Sequence, residues 1–168
     1  MQAKTSYGII AVLVALLVIV SGVASLYYYQ YSRAESENLT YVEQLKAQGV
    51  TYTTDVLIGY GNSTWKWYND TQIPVGSNLY AATLSALKGN VNSTCCEYNS
   101  HFITGIGGVQ STSTEYWWLW LYTPTNSSAP WQVAPLGPDE LPILNDSVVF
   151  SWTLCGSTAA GNLTCTPV

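Results

Sequence analysis

The chain has 168 residues, of which only 9% are charged, with a net charge of −5 and a pI of about 4.5. This balance offers no basic patch to neutralise phosphates, so nucleic acid is excluded as a partner. Seven tryptophans and thirteen tyrosines, with many β-branched residues, supply enough apolar surface for a folded β-rich domain and argue against disorder.

The first predicted element is a membrane-spanning helix over residues 8–29, with the lipid bilayer as its partner. The run from Gly8 to Leu26 is uncharged and about 19 residues long, which is what a helix needs to cross a ~30 Å hydrocarbon core. Lys4 precedes the run and acidic residues dominate after it, so the positive-inside rule predicts a cytoplasmic N-terminus, residues 1–7, and an extracellular remainder. The alternative is a cleaved signal peptide, because small residues precede Ser25.

Residues 30–49 are predicted to form a juxtamembrane linker. Glu37 to Gln48 has the threefold apolar spacing of a short amphipathic helix, and Gly49 is placed to end it. One small, β-rich extracytoplasmic domain is then expected over residues 50–168, since this length suits a single core.

The domain opens with a predicted β-hairpin. Residues 50–58 alternate and are β-branched, residues 61–62 are a turn signal, and residues 63–68 form the second strand with Trp65 and Trp67 on one face. A helix follows in the segment LYAATLSALKG, where Ser77 or Asn78 can cap its start and a glycine its end. Its apolar face consists of Leu79, Ala82, Thr83, Ala86 and Leu87.

Three further strands are predicted in the second half of the domain. His101 to Val109 is a strand that enters a Gly-Gly turn, and Tyr116 to Tyr122, apolar on both faces, is expected to be central in its sheet. Pro124 to Pro142 is expected to be loop because of its prolines. Ser147 to Leu154 provides the last strand.

Seven Asn-x-Ser/Thr sequons, in a chain with a translocation signal, predict an N-glycosylated domain on the outside of the cell. Low charge with many polar uncharged residues is typical of an archaeal-type surface protein. The sequons begin at Asn38, Asn62, Asn69, Asn92, Asn126, Asn145 and Asn162.

The four cysteines predict two disulfides in an oxidising compartment. In one scheme Cys155 pairs with Cys165 across a Gly/Ser/Asn turn, which leaves the adjacent Cys95 and Cys96 to form a vicinal bond or stay reduced. In the other scheme Cys95 and Cys96 each bond to one C-terminal cysteine. The sequence leaves both schemes open.

The chain contains few residues that are suited to metal binding or catalysis. His101 is the only histidine, and no paired Cys-x-x-Cys motif is present, so we expect no metal and no cofactor. His101 is expected to be a surface or satisfied structural residue, and the pair Asp139 and Glu140 a solvated turn. The protein is therefore expected to be non-catalytic by itself.

Four segments resemble the transcobalamin-like C-terminal β-grasp domain of prokaryotic surface proteins, over residues 50–154. They are VGSNLYAATLSAL, FITGIGGV, YWWLWLY and APLGPDELPILNDSVVFSW. The resemblance implies a β-grasp-like domain, a small twisted sheet with a helix packed on it, used for binding. Together with the single N-terminal transmembrane helix, the expected fold class is α+β. In transcobalamin-like proteins this domain closes over a corrinoid, but the fold does not fix the ligand. Thr123 to Asn126 stands where that family has an Asn-Gly turn.

The surplus aromatic residues are the candidate interaction surface. Alternation along the strand at 116–122 puts Trp117 in the core and Trp118 and Trp120 on the opposite face. That surface is either covered within the domain or open to a protein, a glycan or a ring-shaped ligand. Its candidate residues are Trp65, Trp67, Tyr116, Trp118, Trp120 and Trp131.

The expected function is an accessory or interaction subunit, in which the helix sits among polytopic membrane subunits and the glycosylated domain caps that complex outside. The alternative is a tethered binding protein for a carbohydrate or cofactor-like ligand. A second alternative is a cell-envelope or filament subunit.

Overall fold

The computed structural model describes residues 2–95, 99–125, 128–156 and 163–168, with the backbone alone for 2–11. The chain divides into two compact units, residues 1–44 and 45–168, which are treated separately below. The fold is α+β, as predicted: one long apolar helix, then a β-sheet domain with one short helix.

The N-terminal helix α1 runs without a break from Gln2 to Ala47. The predicted linker, residues 30–49, is therefore helical as far as Ala47, and the predicted short helix is part of α1. Nothing between residues 30 and 47 interrupts a helix, since the segment lacks glycine and proline, and Arg33 and Glu37 form an i,i+4 ion pair at 2.8 Å. The helix ends as predicted near Gly49, whose φ of 70° suits glycine.

The apolar half of α1 has the properties of a membrane anchor or a signal segment. A window of its residues has a mean hydropathy of 2.1, and none of that window is buried inside the protein. Length and composition alone qualify it, and both an anchor and a signal sequence meet that criterion.

Eight strands form two sheets in the second unit. The five-stranded sheet has the order β2-β1-β8-β6-β7, with β1 and β8 parallel and the other pairs antiparallel, and the three-stranded sheet has the order β3-β4-β5. The elements are β1 Thr51–Gly59, β2 Trp65–Pro74, α2 Leu79–Ala86, β3 Val91–Thr94, β4 Phe102–Ile106, β5 Val109–Gln110, β6 Glu115–Tyr122, β7 Trp131–Val133 and β8 Val148–Gly156.

The predicted hairpin, helix and strands are present, and the Tyr116–Tyr122 strand lies inside its sheet, between β8 and β7. The strand Val91–Thr94 was not predicted, and β2 continues to Pro74, beyond its predicted end at residue 68. The segment from Pro124 to Pro142 is not all loop, because Trp131–Val133 pairs with the end of β6. Its three residues contain no proline and add to an edge, where a short strand is tolerated.

The core lies between α2 and the face of the five-stranded sheet that we call the inner face. Asn78 caps α2 by accepting a hydrogen bond from the Ala81 amide at 2.8 Å, and the predicted apolar face of the helix is buried. From the sheet, the Trp152 Nε1–H donates to Thr83 Oγ1 at 2.9 Å. The opposite side of the sheet is called the outer face.

Cys155 is disulfide-bonded to Cys165, ten residues further on, so the scheme in which both C-terminal cysteines bond to the middle of the domain is wrong. Cys95 is also disulfide-bonded, and Cys96 lies outside the described residues.

Candidate functional site

The outer face gathers the aromatic residues that the sequence singles out. Cross-strand registers place them opposite residues that point away from α2, because paired residues share a face of the sheet. They are Trp65, Trp67, Tyr116, Trp118, Trp120 and Trp131, joined by Tyr122. The fold therefore assembles on one surface a set that the sequence could locate only strand by strand.

Part of this outer face is covered within the domain and part is open. Trp120 is 5% exposed, and the ring of Trp65 lies over Gly59, where a Cβ would collide with it. Trp67 and Tyr116, in contrast, are 45% and 40% exposed. Each of the two alternatives considered from the sequence, a covered surface and an open one, therefore holds for part of the outer face.

The open part includes a cleft of about 700 Å³, which we call the aromatic cleft. Residues 128–131 contribute to it and residues 166–168 do so as well, the latter held near β8 by the disulfide. The rings of Tyr122 and Trp131 meet edge to face, with centroids 5.1 Å apart. Its lining residues are Asp55, Trp67, Tyr122, Ser128, Ala129, Pro130, Trp131, Val149, Thr166, Pro167 and Val168.

A second cavity, of about 400 Å³, lies at the edge of β6 and is called the indole pocket. β7 pairs with β6 from Trp120 onward, and the Ala134 amide also donates to the Leu119 carbonyl at 2.9 Å. The three consecutive residues Trp117, Trp118 and Leu119 line the cavity. The other walls come from the start of β4 and from the loop after β7. The lining residues are Ser100, His101, Phe102, Ile103, Trp117, Trp118, Leu119, Val133, Ala134, Leu136, Gly137, Pro138, Glu140 and Trp152.

Three tryptophans line the indole pocket, and their indole N–H groups differ. The N–H of Trp152 is satisfied by Thr83. The N–H groups of Trp117 and Trp118 are buried and have no hydrogen-bond partner among the described residues, and Trp117 is 4% exposed. A buried donor without an acceptor is uncommon and unfavourable, by about 1–3 kcal/mol.

His101 is held rigidly at the rim of this pocket. Its imidazole stacks on the Tyr80 ring, with centroids 3.9 Å apart and planes at 8°, and its Nδ1 lies 2.9 Å from Asp139 Oδ1. Because an ionised carboxylate can only accept, Nδ1 carries the proton, which leaves Nε2 without a partner among the described residues. His101 is thus a half-buried, hydrogen-bonded residue, one of the two roles expected for it.

Asp139 is not the solvated turn residue that the sequence predicts. Its carboxylate accepts hydrogen bonds from the His101 amide at 2.7 Å, from the His101 ring and from the Ser100 hydroxyl. Burial alone would raise the pKa of Asp139, but these hydrogen bonds outweigh burial and lower the pKa from its ordinary value of 3.8.

We expect this carboxylate to make stability depend on pH in acid. A lowered pKa in the folded state means that Asp139 stabilises the fold above its unfolded-state pKa, near 4, and that this contribution is lost as the pH falls through the folded-state pKa. Asp139→Asn should lower the free energy of unfolding at pH 7 by about 1–2 kcal/mol. Urea unfolding between pH 7 and 2 should show a smaller acid-induced loss for the variant; an unchanged pH profile would contradict this role.

Sequence reasoning could not bring these groups together. His101 and Asp139 are 38 residues apart. The loop that carries Asp139 is held against the start of α2, where the Tyr80 amide donates to the Pro138 carbonyl and the Leu79 amide to the Leu141 carbonyl. No short-range sequence pattern predicts such a contact. Within the described ranges, no cluster of three His, Cys, Asp or Glu side chains suited to a metal is found.

The second unit thus belongs to the class of small α+β domains with a concave, mainly apolar pocket. No family model matches the chain, and no curated protein matches it in sequence. Solved structures do: a proposed metal-binding protein from Ruminococcus gnavus is 16% identical over 64% of this chain and 99% of its own, with a TM-score of 0.49. Haptocorrin, crystallised in complex with Cbi, is 14% identical over 62% of this chain, with a TM-score of 0.47.

The chain spans about a quarter of haptocorrin, 25% of its length. Haptocorrin, to which this part of the chain is structurally similar, is a protein of the transcobalamin family. At these identities the likeness concerns the fold alone and assigns neither metal nor ligand to this chain.

Proposed function

We propose that this protein is a membrane-tethered, extracytoplasmic, non-catalytic binding protein whose indole pocket holds a small, uncharged, ring-shaped ligand. The observation that carries the proposal is that two tryptophans which line this cavity, Trp117 on the inner face and Trp118 on the outer face, have buried N–H groups without a partner among the described residues. An acceptor atom on a ligand would remove the unfavourable burial of these donors. Of the functions expected from sequence, the tethered binding protein fits this geometry best.

The pocket limits the chemistry of its ligand. About 400 Å³ lies near the lower end of the range for small-molecule sites, so one or two rings fit. The indoles favour a ligand with oxygen acceptors. Glu140 on the rim disfavours an anion, and His101 is already paired with Asp139. A sugar ring or a quinone-like ring meets these conditions.

The residues of the pocket are better suited to binding a ligand than to catalysis. The Ser100 hydroxyl donates to the Asp139 carboxylate at 3.1 Å and accepts from the Asp139 amide at 3.3 Å. It is therefore engaged with Asp139 and not with the His101 ring, whereas a nucleophilic serine requires a hydrogen bond to its base. The imidazole is a fixed hydrogen-bonding group here.

The tether and the location rest on two features. α1 has the length and hydropathy of an anchor or a signal segment, and the Cys155–Cys165 disulfide is typical of an oxidising, extracytoplasmic compartment. We take the helix to be retained as an anchor, with the β domain and its N-linked glycans outside. The exposed tyrosines at 27–29, at 65–75% exposure, suit the interfacial zone of a bilayer.

Titration of the ¹⁵N-labelled full-length protein in detergent micelles tests the binding site. The probes are a methyl hexoside and a methylated benzoquinone, added separately, and the indole N–H signals are assigned with Trp→Phe variants. We expect one probe to shift the signals of Trp117 and Trp118 downfield and to leave that of Trp152 in place. Shifts confined to Trp67 and Trp131, or no shift with either probe, would overturn the proposal.

Trp117→Phe should weaken binding of that probe about tenfold, because one hydrogen bond to a buried donor is lost. The matched control is Trp120→Phe, which also removes a buried, unpartnered N–H but lies outside the pocket lining. This control should bind as the wild type does. Equal weakening in both variants would point to a general loss of packing.

An accessory subunit of a membrane complex is the second candidate. It is favoured by the apolar side chains of α1 from Val12 to Leu26. The large side chains among them are all at least 52% exposed. Lipid or the helices of polytopic subunits would cover them. Purification from native membranes in mild detergent, followed by mass spectrometry, distinguishes the two: stoichiometric polytopic proteins support the accessory role, and a lone glycoprotein rejects it.

A further inference from the structure

One sequon lies beside an exposed indole on the outer face. In the β1–β2 register, Val56 pairs with Tyr68 and Thr54 with Thr71, so both Asn69 and the residue after it stand opposite a single residue of β1. Tyr68 and Thr71 point to the inner face with their partners. The bulge between them therefore turns Asn69 toward the outer face, the same face as Trp67.

The bulge holds Asn69 in a defined and accessible position. Asp70, with a φ of 53°, donates its amide to Asp55 Oδ1 at 2.9 Å, which fixes the shape of the bulge. Asn69 is exposed, and within the described residues its side-chain amide makes no hydrogen bond. Thr71 completes the sequon.

We propose that an N-linked glycan on Asn69 packs its first sugar ring against the open face of Trp67 and so occupies the aromatic cleft. The modification forms a bond between Asn69 Nδ2 and the anomeric carbon of a lipid-phosphate-linked oligosaccharide. The amide loses one proton, and the lipid phosphate leaves. This inference needs the domain to be extracytoplasmic but does not depend on what the indole pocket binds.

The chemistry of the cleft suits a sugar. The C–H groups on one face of a sugar ring carry partial positive charge and pack on the electron-rich face of an indole. Trp67 is 45% exposed, and no ring in the described part of the chain stacks on it. Asp55 lines the same cleft, and within the described residues only its Oδ1 accepts a hydrogen bond, which leaves Oδ2 to accept from a sugar hydroxyl.

Two other sequons in the described residues, Asn62 and Asn92, lack this arrangement. The residue two positions before Asn62 is Tyr60, but its ring is packed against Trp117 of the inner face, with centroids 6.1 Å apart. The residue two positions before Asn92 is Asn90, which has no aromatic ring. Asn69 thus differs from Asn62 and Asn92 in having an exposed indole beside it on one face.

The test uses full-length protein made in a host that glycosylates it and purified in detergent. Mass spectrometry should find Asn69 occupied. We expect Asn69→Gln to lower the Tm by about 3 °C, and the matched control Asn92→Gln, in an exposed strand without an aromatic neighbour, to leave the Tm unchanged. Trp67→Ala should lower the Tm in the glycosylated protein and have a much smaller effect in the Asn69→Gln background.

A direct signature accompanies the stability measurement. The indole ring current should shift the C–H protons of the first sugar upfield, and Trp67→Ala should abolish that shift while leaving occupancy of Asn69 unchanged. An unmodified Asn69, or an effect of Trp67→Ala that is equal with and without the glycan, overturns the proposal.

Discussion

Replacing Trp152 with alanine is expected to lower the free energy of unfolding by about 3–5 kcal/mol. Trp152 lies on β8, the middle strand of the five-stranded sheet, and is 3% exposed. Its truncation removes the indole from the core and with it one wall of the indole pocket. It also removes the hydrogen bond that joins the sheet to α2. Urea unfolding of the full-length protein, followed by near-ultraviolet circular dichroism, measures the loss.

Trp152→Phe separates packing from hydrogen bonding. It keeps an aromatic ring in the core and removes the donor, so the expected loss is about 1–2 kcal/mol. The Thr83 hydroxyl stays satisfied, because it also donates to the Leu79 carbonyl at 2.7 Å. If the two variants lost equal stability, the hydrogen bond rather than the packing of the ring would carry the effect.

The comparison between Trp152 and its neighbours shows what a sequence can and cannot predict. Strand alternation alone assigns Trp117 and Trp118 to opposite faces, and the structure agrees. It gives no information on which indole N–H finds an acceptor, since Thr83 lies 69 residues from Trp152. The unpartnered donors that define the indole pocket are therefore visible only after folding.

Local signals predicted the local elements well. Asn78 caps α2, the glycines at 107 and 108 turn the chain between β4 and β5 with φ of 61° and 87°, and the hairpin closes where a glycine and an asparagine follow β1. Each depends on residues a few positions apart. β7 escaped prediction because a three-residue edge strand has no periodicity of its own and is defined by its partner, β6.

The paired carboxylate of Asp139 escaped prediction for the same reason. Asp139 and Glu140 are adjacent in a proline-containing stretch, and most such pairs are solvated. Only Asp139 makes these contacts. The antiparallel bridge between Asn78 and Pro142 holds this stretch against the N-terminus of α2, and Asp139 therefore lies next to Ser100 and His101. Long-range contacts therefore decided the site, whereas short-range ones decided the elements that carry it.

Removing the Cys155–Cys165 disulfide is expected to lower the free energy of unfolding by about 3 kcal/mol, because the crosslink restricts the unfolded chain across a loop of this length. The double variant Cys155→Ala/Cys165→Ala is compared with wild type without reductant, so that the disulfide at Cys95 is kept in both. Cys155 is buried on the outer face, and the crosslink holds residues 163–168 there. The variant should therefore also become more sensitive to carboxypeptidase. Unchanged stability together with unchanged digestion would show that packing alone, with Pro167 buried, holds this segment in place.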